Sequence, residues 1–168
     1  LILILISLAG QSQIISKFTW NTVAAKTKAD IGPDAISISK NSFLCSSGFA
    51  GTKGLNPGNS NEDINMKLPG YYYNVPGIDL SLSFRREKNE GSFFKRGDDF
   101  NFGMYNGNLV VIFKVKTSVK TQKTINSGYI YRIPMDGEFH QYHFRYTAST
   151  GKAEVWVDNA VVYTYTGI

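Results

Sequence analysis

Two acids four residues apart, Glu154 and Asp158 in "EVWVD", are the nearest this sequence comes to a catalytic pair. Hydrolysis of a glycosidic bond with retention needs two carboxyl groups about 5 Å apart, one as nucleophile and one as acid, and i, i+4 positions on one strand share a face. Trp156 stands between them on the same face, and Asp158 is equally accounted for by the turn it opens with Asn159. The other acid pairs, Glu62-Asp63 and Asp98-Asp99, are adjacent, and a strand would turn the members of each to opposite faces. His140 and His143 lie three apart, again on opposite strand faces, so they cannot share a metal ion there. Cys45, the single cysteine, sits among apolar neighbours in "NSFLCSSGF" and reads as a small buried hydrophobe. No Cys and His spacing fits zinc. No serine-nucleophile signature occurs, and "GMYNG" and "GTKGLNPG" read as turns rather than phosphate cradles. These residue types favour binding over bond breaking.

The elements that must position them are strands. Six segments alternate apolar and polar residues with period two, which turns one face of each toward a core. They are Ile36 and Ile38; Leu80, Leu82 and Phe84; Phe100, Phe102 and Met104; Leu109 to Val115; Tyr142, Phe144 and Tyr146; and Val155 with Val157. The fourth is also apolar at Val110 and Ile112, which implies cover on both faces. Asn106-Gly107 tolerates positive φ at both residues and predicts a tight hairpin. Ser149-Thr150-Gly151 joins Tyr142–Tyr146 to Ala153–Val157, and Asp158-Asn159 leads on into Val161–Tyr165. The C-terminal part therefore reads as a three-stranded antiparallel meander. "GFAGTKGLNPGNSN" (48–61) reads as an irregular surface loop.

The bulk properties agree. Ten Tyr, eleven Phe and two Trp favour strands, and sixteen Gly supply turns. The length fits one domain with a real core, and no long helical period appears. The net charge of +5 is spread over scattered Lys and Arg. With no basic helix and no nucleic-acid motif, nucleic acid is not an expected partner. Residues 1–13, "LILILISLAGQSQ", read as part of a signal peptide, an apolar run before small residues, too short to span a bilayer. The "GQSQ" ending resembles exported proteins of the Bacteroidota. The expected product is a secreted or cell-surface domain over 14–168, with no membrane span in the mature chain.

"FHQYHFRYTASTGKAEVWVDNAVVYTYTG" resembles the signature of laminin-G-like (LamG) domains of the concanavalin A-like lectin and glucanase fold. Phe139-His140 opens it, Phe144 and Tyr146 follow, and Trp156-Val157-Asp158-Asn159 closes it, with Asn159 where the family has Gly. "IDLSLSFRREKNEGSFFKRGDDFNFGMYNGNLVVIF" is similar to the preceding strands. The resemblance covers residues 78–167 well and 18–77 loosely. It implies an all-β jelly-roll sandwich of two curved antiparallel sheets, with a sandwich that usually continues past this point. Glucan-cleaving relatives share a Glu-x-Asp-x-Glu strand; "EVWVD" has Trp156 at the middle acid. LamG-like domains often bind calcium through rim carboxylates, which makes Asp63, Asp79, Asp98 and Asp99 the calcium candidates.

The expected function is non-catalytic binding of a polysaccharide or a cell-surface glycoprotein. Sugars stack on exposed aromatics while polar neighbours bond their hydroxyls. With Val155 and Val157 inward, Trp156 points outward; on the next strand Gln141, His143 and Arg145 do the same. In "YYY" (71–73) at least one ring must be exposed if the segment is extended, and Tyr72 is the second aromatic candidate. A divergent glycoside hydrolase or lyase, or a structural spacer, are the alternatives.

Overall fold

The computed structural model describes residues 16–21, 25–56, 58, 66–69, 77–117 and 120–167. The expected leader over 1–13, and the candidates Asp63 and Tyr72, lie outside the described residues. Thirteen strands are described: β1 Ser37–Ile38, β2 Phe43–Cys45, β3 Gly54–Asn56, β4 Met66–Lys67, β5 Ile78–Phe84, β6 Gly91–Arg96, β7 Phe100–Tyr105, β8 Asn108–Lys116, β9 Gln122–Asn126, β10 Tyr131–Arg132, β11 His140–Thr147, β12 Lys152–Val157 and β13 Ala160–Thr166. The protein is all-β, and among the described residues no helix is long and apolar enough to cross a membrane.

Two antiparallel sheets dominate. One runs β13-β12-β11-β5; the other runs β6-β7-β8, with β10 and β9 one after the other along the far edge of β8. The chain leaves β5 for the second sheet, meanders through it, and returns to lay β11 beside β5. Alternation dictates which faces meet. Phe100, Phe102 and Met104 of β7, with Leu109, Val111 and Phe113 of β8, face Tyr142 and Phe144 of β11 and Val155 and Val157 of β12 in one core. Phe144 touches three rings of the other sheet, with centroids 5.3 Å from Phe100, 5.9 Å from Phe102 and 5.8 Å from Phe113. Each ring buried this way is worth roughly 1.5–3 kcal/mol over leaving it in water. On the other face of β8, Val110 is buried and Ile112 half-buried.

The turns are those the residue types demand. Asn106-Gly107 has φ of 48° and 69°, and Asp158-Asn159 has 48° and 68°. Both central residues are left-handed in each, the two-residue hairpin whose twist matches the flanking strands. Residues 148–151 turn between β11 and β12.

Three sequence expectations change. Only Ser37–Ile38 of the first alternating segment is a strand, and Ile36 is exposed rather than facing a core. The loop expected over 48–61 contains β3, paired with β2. Cys45 is half-buried, its thiol 3.5 Å from the Gly54 carbonyl oxygen. In this N-terminal region β1 pairs with β4 and β2 with β3, while the Lys26 ammonium donates to the carbonyls of Ser39, Lys40 and Ser42 at 2.8, 2.9 and 2.7 Å.

Candidate functional site

The outer face of the four-stranded sheet gathers most of the expected binding residues. Register does this. Across β5, β11 and β12, Asp79 lies opposite Arg145, which lies opposite Glu154; one row along, Ser81, His143 and Trp156 are in line. Between β12 and β13 the pairing shifts at Val155/Trp156, so that Trp156 faces Val161. Such a bulge increases local twist and re-aims the side chain beside it.

Asp79 organises the group. Its Oδ2 accepts from Arg145 Nε at 2.8 Å and Nη2 at 2.7 Å, and its Oδ1 lies 2.6 Å from His143 Nε2. The imidazole then lies nearly parallel to the Trp156 indole, centroids 4.5 Å apart and planes 19° apart. The Arg145 guanidinium carbon is 5.7 Å from the same ring, within cation–π range. One carboxylate thus holds two side chains against one indole. With 49% and 42% of the Arg145 and Asp79 side chains exposed, the ion pair adds about 0.2–1 kcal/mol at most, so its consequence is positional. Gln141 is exposed on the same face, and Glu154, half-buried, pairs with Lys152 Nζ at 2.7 Å.

Asp158 is not part of this face, contrary to the expectation that it shares one with Glu154 and Trp156. β12 ends at Val157, and the left-handed turn swings Asp158 round to the start of β11. There Oδ1 accepts the Gln141 N–H at 2.9 Å and Oδ2 lies 2.6 Å from His140 Nδ1. The other nitrogen of that ring, Nε2, is 3.1 Å from Asp136. Hydrogen bonding to Asp158, against the opposing effect of burial and with help from Asp136, raises the His140 pKa above its ordinary value. Partial burial pushes Asp158 up, but the Gln141 N–H and the His140 ring outweigh it and leave the carboxyl below the usual range. Asp136 is lowered by the Glu138 N–H first and His140 second. Glu154 and Asp158 therefore answer to different bases and do not form a facing pair.

The calcium candidates are dispersed. Asp79 is committed to Arg145 and His143, Asp99 pairs with Lys114 at 3.0 Å, and Asp98 is exposed in the β6–β7 turn. Among the described residues no group of three or more His, Cys, Asp and Glu side chains could hold a metal ion.

Two features escape the sequence. Arg86, just past β5, is 6% exposed, and its guanidinium donates to the carbonyls of Ile133 and Lys88 and to the Asn89 side chain. Burial, then the neighbouring Arg132, lowers its pKa. In "FRRE" the two arginines look alike; only the alternation past Phe84 hints that one turns inward. The second is Tyr142, fully buried with its pKa raised by that burial; alternation puts this ring in the core, but its hydroxyl has no partner among the described residues.

No protein-family model matches the chain, and no curated protein matches it.

Proposed function

We propose that this chain is a non-catalytic carbohydrate-binding module of a secreted or cell-surface protein, a LamG-like domain with the concanavalin A-like jelly-roll connectivity that its C-terminal signature implies. The observation that carries the reading is the Trp156 group: an indole on a rigid sheet, backed by His143 and Arg145, both anchored by Asp79. Binding a sugar ring calls for an aromatic surface whose rotamer is already paid for and polar atoms fixed around it. His143 covers one side of the indole, Val161, the register partner of Trp156 on β13, is 53% exposed, and Arg145, Gln141 and Glu154 supply donors and acceptors to hydroxyls. Against hydrolysis, Glu154 pairs with Lys152 while Asp158 is turned to His140, so the two do not face each other as cleavage requires, and the Asp136 and Asp158 carboxyls are held below the usual range rather than kept protonated as an acid.

The test is retention on polysaccharide affinity gels. The wild-type chain should be retarded by at least one of laminarin, xylan or polygalacturonate, and Trp156→Ala, with its circular dichroism unchanged, should run as in an empty gel. Equal mobility of wild type and variant in every gel defeats the reading. Release of reducing ends that disappears in Glu154→Gln would replace it with hydrolysis.

A further inference from the structure

We infer that the other sheet carries a second sugar-stacking surface, built by Tyr105 and Tyr129. Tyr105 ends β7. Phe100, Phe102 and Met104 point into the core, so alternation turns Tyr105 outward, where it is 52% exposed. Tyr129, in the segment between β9 and β10, is 60% exposed. The two rings are stacked, centroids 6.3 Å apart with planes inclined by 26°. An isolated exposed aromatic is ordinary on a protein surface; two neighbouring rings presented in nearly one orientation form a patch, and such patches mark binding sites.

The surroundings make the patch rigid and give it polar edges. Asn106, in the left-handed turn after Tyr105, lies with Nδ2 3.4 Å from the Tyr129 hydroxyl. Its carbonyl accepts from Asn108 Nδ2 at 3.0 Å and from the Arg132 guanidinium. Tyr105, Asn108 and Arg132 form one row across β7, β8 and β10 by register. The Tyr129 segment is fixed on both sides: Gly128 N–H donates to Asn126 Oδ1 at 2.9 Å, and Ile130 N–H donates to the Leu109 carbonyl at 2.9 Å. The backbone that carries the rings is thus fixed before a ligand arrives, which lowers the cost of binding.

The chemistry selects the ligand class. A pyranose ring has an apolar C–H face that lies on a π-face and a rim of hydroxyls that reach sideways. Here the sideways groups are the Asn106 and Asn108 amides, which donate and accept, and the Arg132 guanidinium, which donates. That set suits a polysaccharide chain, with Arg132 placed to favour uronic acid residues. The ligand class rests on the function proposed above, but the surface does not: the Tyr pair belongs to the opposite sheet from Trp156 and shares none of its residues.

The experiment compares wild type, Trp156→Ala, the double variant Tyr105→Ala/Tyr129→Ala, and the combination of all three on gels of laminarin, xylan and polygalacturonate. Because both tyrosines are exposed, the double variant should keep the wild-type melting temperature. It is expected to lose about tenfold in affinity for the retarding polysaccharide, the scale of removing a well-placed aromatic contact, and the triple variant should lose more than either parent. Wild-type retention by the double variant, with loss in Trp156→Ala, overturns the second surface and leaves the proposed function standing. Retention of no variant and no wild type by any gel overturns both. Loss in the tyrosine variant alone upholds this surface and moves the site away from Trp156.

Discussion

The two ends of the sandwich are closed by different means. At the end holding the Asn106-Gly107 and Asp158-Asn159 turns, polar wiring closes the fold. Arg86 reaches under Gly107 and ties three oxygens; Gly107 N–H donates to the Asn89 carbonyl at 2.6 Å, and Ile133 N–H to the Gly107 carbonyl at 3.0 Å. Asp158 and His140 stitch the β12–β13 turn to the start of β11. At the opposite end, beyond Arg96, Lys116 and Thr147, the sheets are held by aromatic packing. Two hollows of about 230 and 250 Å³ open there, the first lined by Phe100, Phe113, Phe144 and Tyr146 together with Arg96, Asp99 and Lys114, the second by Val115, Tyr146 and Tyr165 together with Lys116 and the 148–151 turn. Buried polar wiring is intolerant, because removing one partner strands the others; apolar packing beside a hollow has room to adjust. Tyr105 lies at the wired end, and Trp156 is one residue from it, so both proposed contact surfaces sit on the less yielding part of the fold.

The sharpest test of that contrast is Arg86→Met. The replacement keeps much of the stem's volume and removes every donor. The carbonyls of Ile133 and Lys88 would then be left without the guanidinium, at about 1–3 kcal/mol for each one that water does not reach. We expect a loss of roughly 3 kcal/mol in urea unfolding. A loss under about 1 kcal/mol would mean that the wiring is decorative and that the two ends do not differ as described.

A pair of glycines gives a smaller and cleaner comparison. Gly107 and Gly97 both have positive φ, 69° and 49°, so alanine strains the backbone at either place. They differ in what the new methyl meets. At Gly97, in the β6–β7 turn of the open end, nothing lies within 4 Å; at Gly107 it would lie 2.2 Å from Arg86 Nη2 and 2.8 Å from Arg132 Nη1. Gly97→Ala should cost about 1 kcal/mol from backbone strain alone, whereas Gly107→Ala adds displacement of a fixed guanidinium and should cost about 2–3 kcal/mol. Equal melting temperatures for the two would show that Arg86 gives way freely.

How legible this arrangement was in the sequence follows from the same physics. β5, β7, β8 and β11–β13 announce themselves because one face is core and the other is wet, and because Asn106-Gly107 and Asp158-Asn159 tolerate only one kind of turn. β6 hides: its pairing slips between Ser92 and Phe94, so adjacent Phe93 and Phe94 are both partly buried and the period is lost. β9 hides for another reason, since on the edge of its sheet only Ile125 is buried. At the site, His143, Arg145 and Trp156 could be aligned because a short turn sets the register of β11 against β12. Asp79 could not. It meets them across some 64 to 66 residues of chain, and nothing local records that pairing, so it reads as a loop acid available to calcium rather than as the anchor of the group. Arg86 is hidden by its neighbour, for Arg85 behaves as a surface arginine should, paired with Glu87 at 2.7 Å and lying over Phe139.

The smallest expected effect is one of pH, and it belongs to the wired end alone. His140 faces Asp136 from the segment after β10 and Asp158 from the β12–β13 turn, with the buried Tyr142 hydroxyl and Arg86 nearby in the field. The ring satisfies both carboxylates only as the imidazolium, since the neutral form has one N–H to give. Its folded pKa is raised, so its contribution is complete below the unfolded value of 6.5 and is lost as pH rises through the higher folded value. The two aspartates are lowered, so their contribution is complete above 3.8 and is lost as pH falls through their folded values. The melting temperature should therefore be highest between these limits and decline on either side. In His140→Gln the decline above pH 6.5 should flatten, while the acid limb, now lacking the cation opposite both aspartates, should be shallower as well. Lys114→Met, which breaks the ion pair with Asp99 at the open end, should leave the alkaline limb unchanged. If that variant flattens the limb as His140→Gln does, the pH response is a property of net charge and not of the stitched turn.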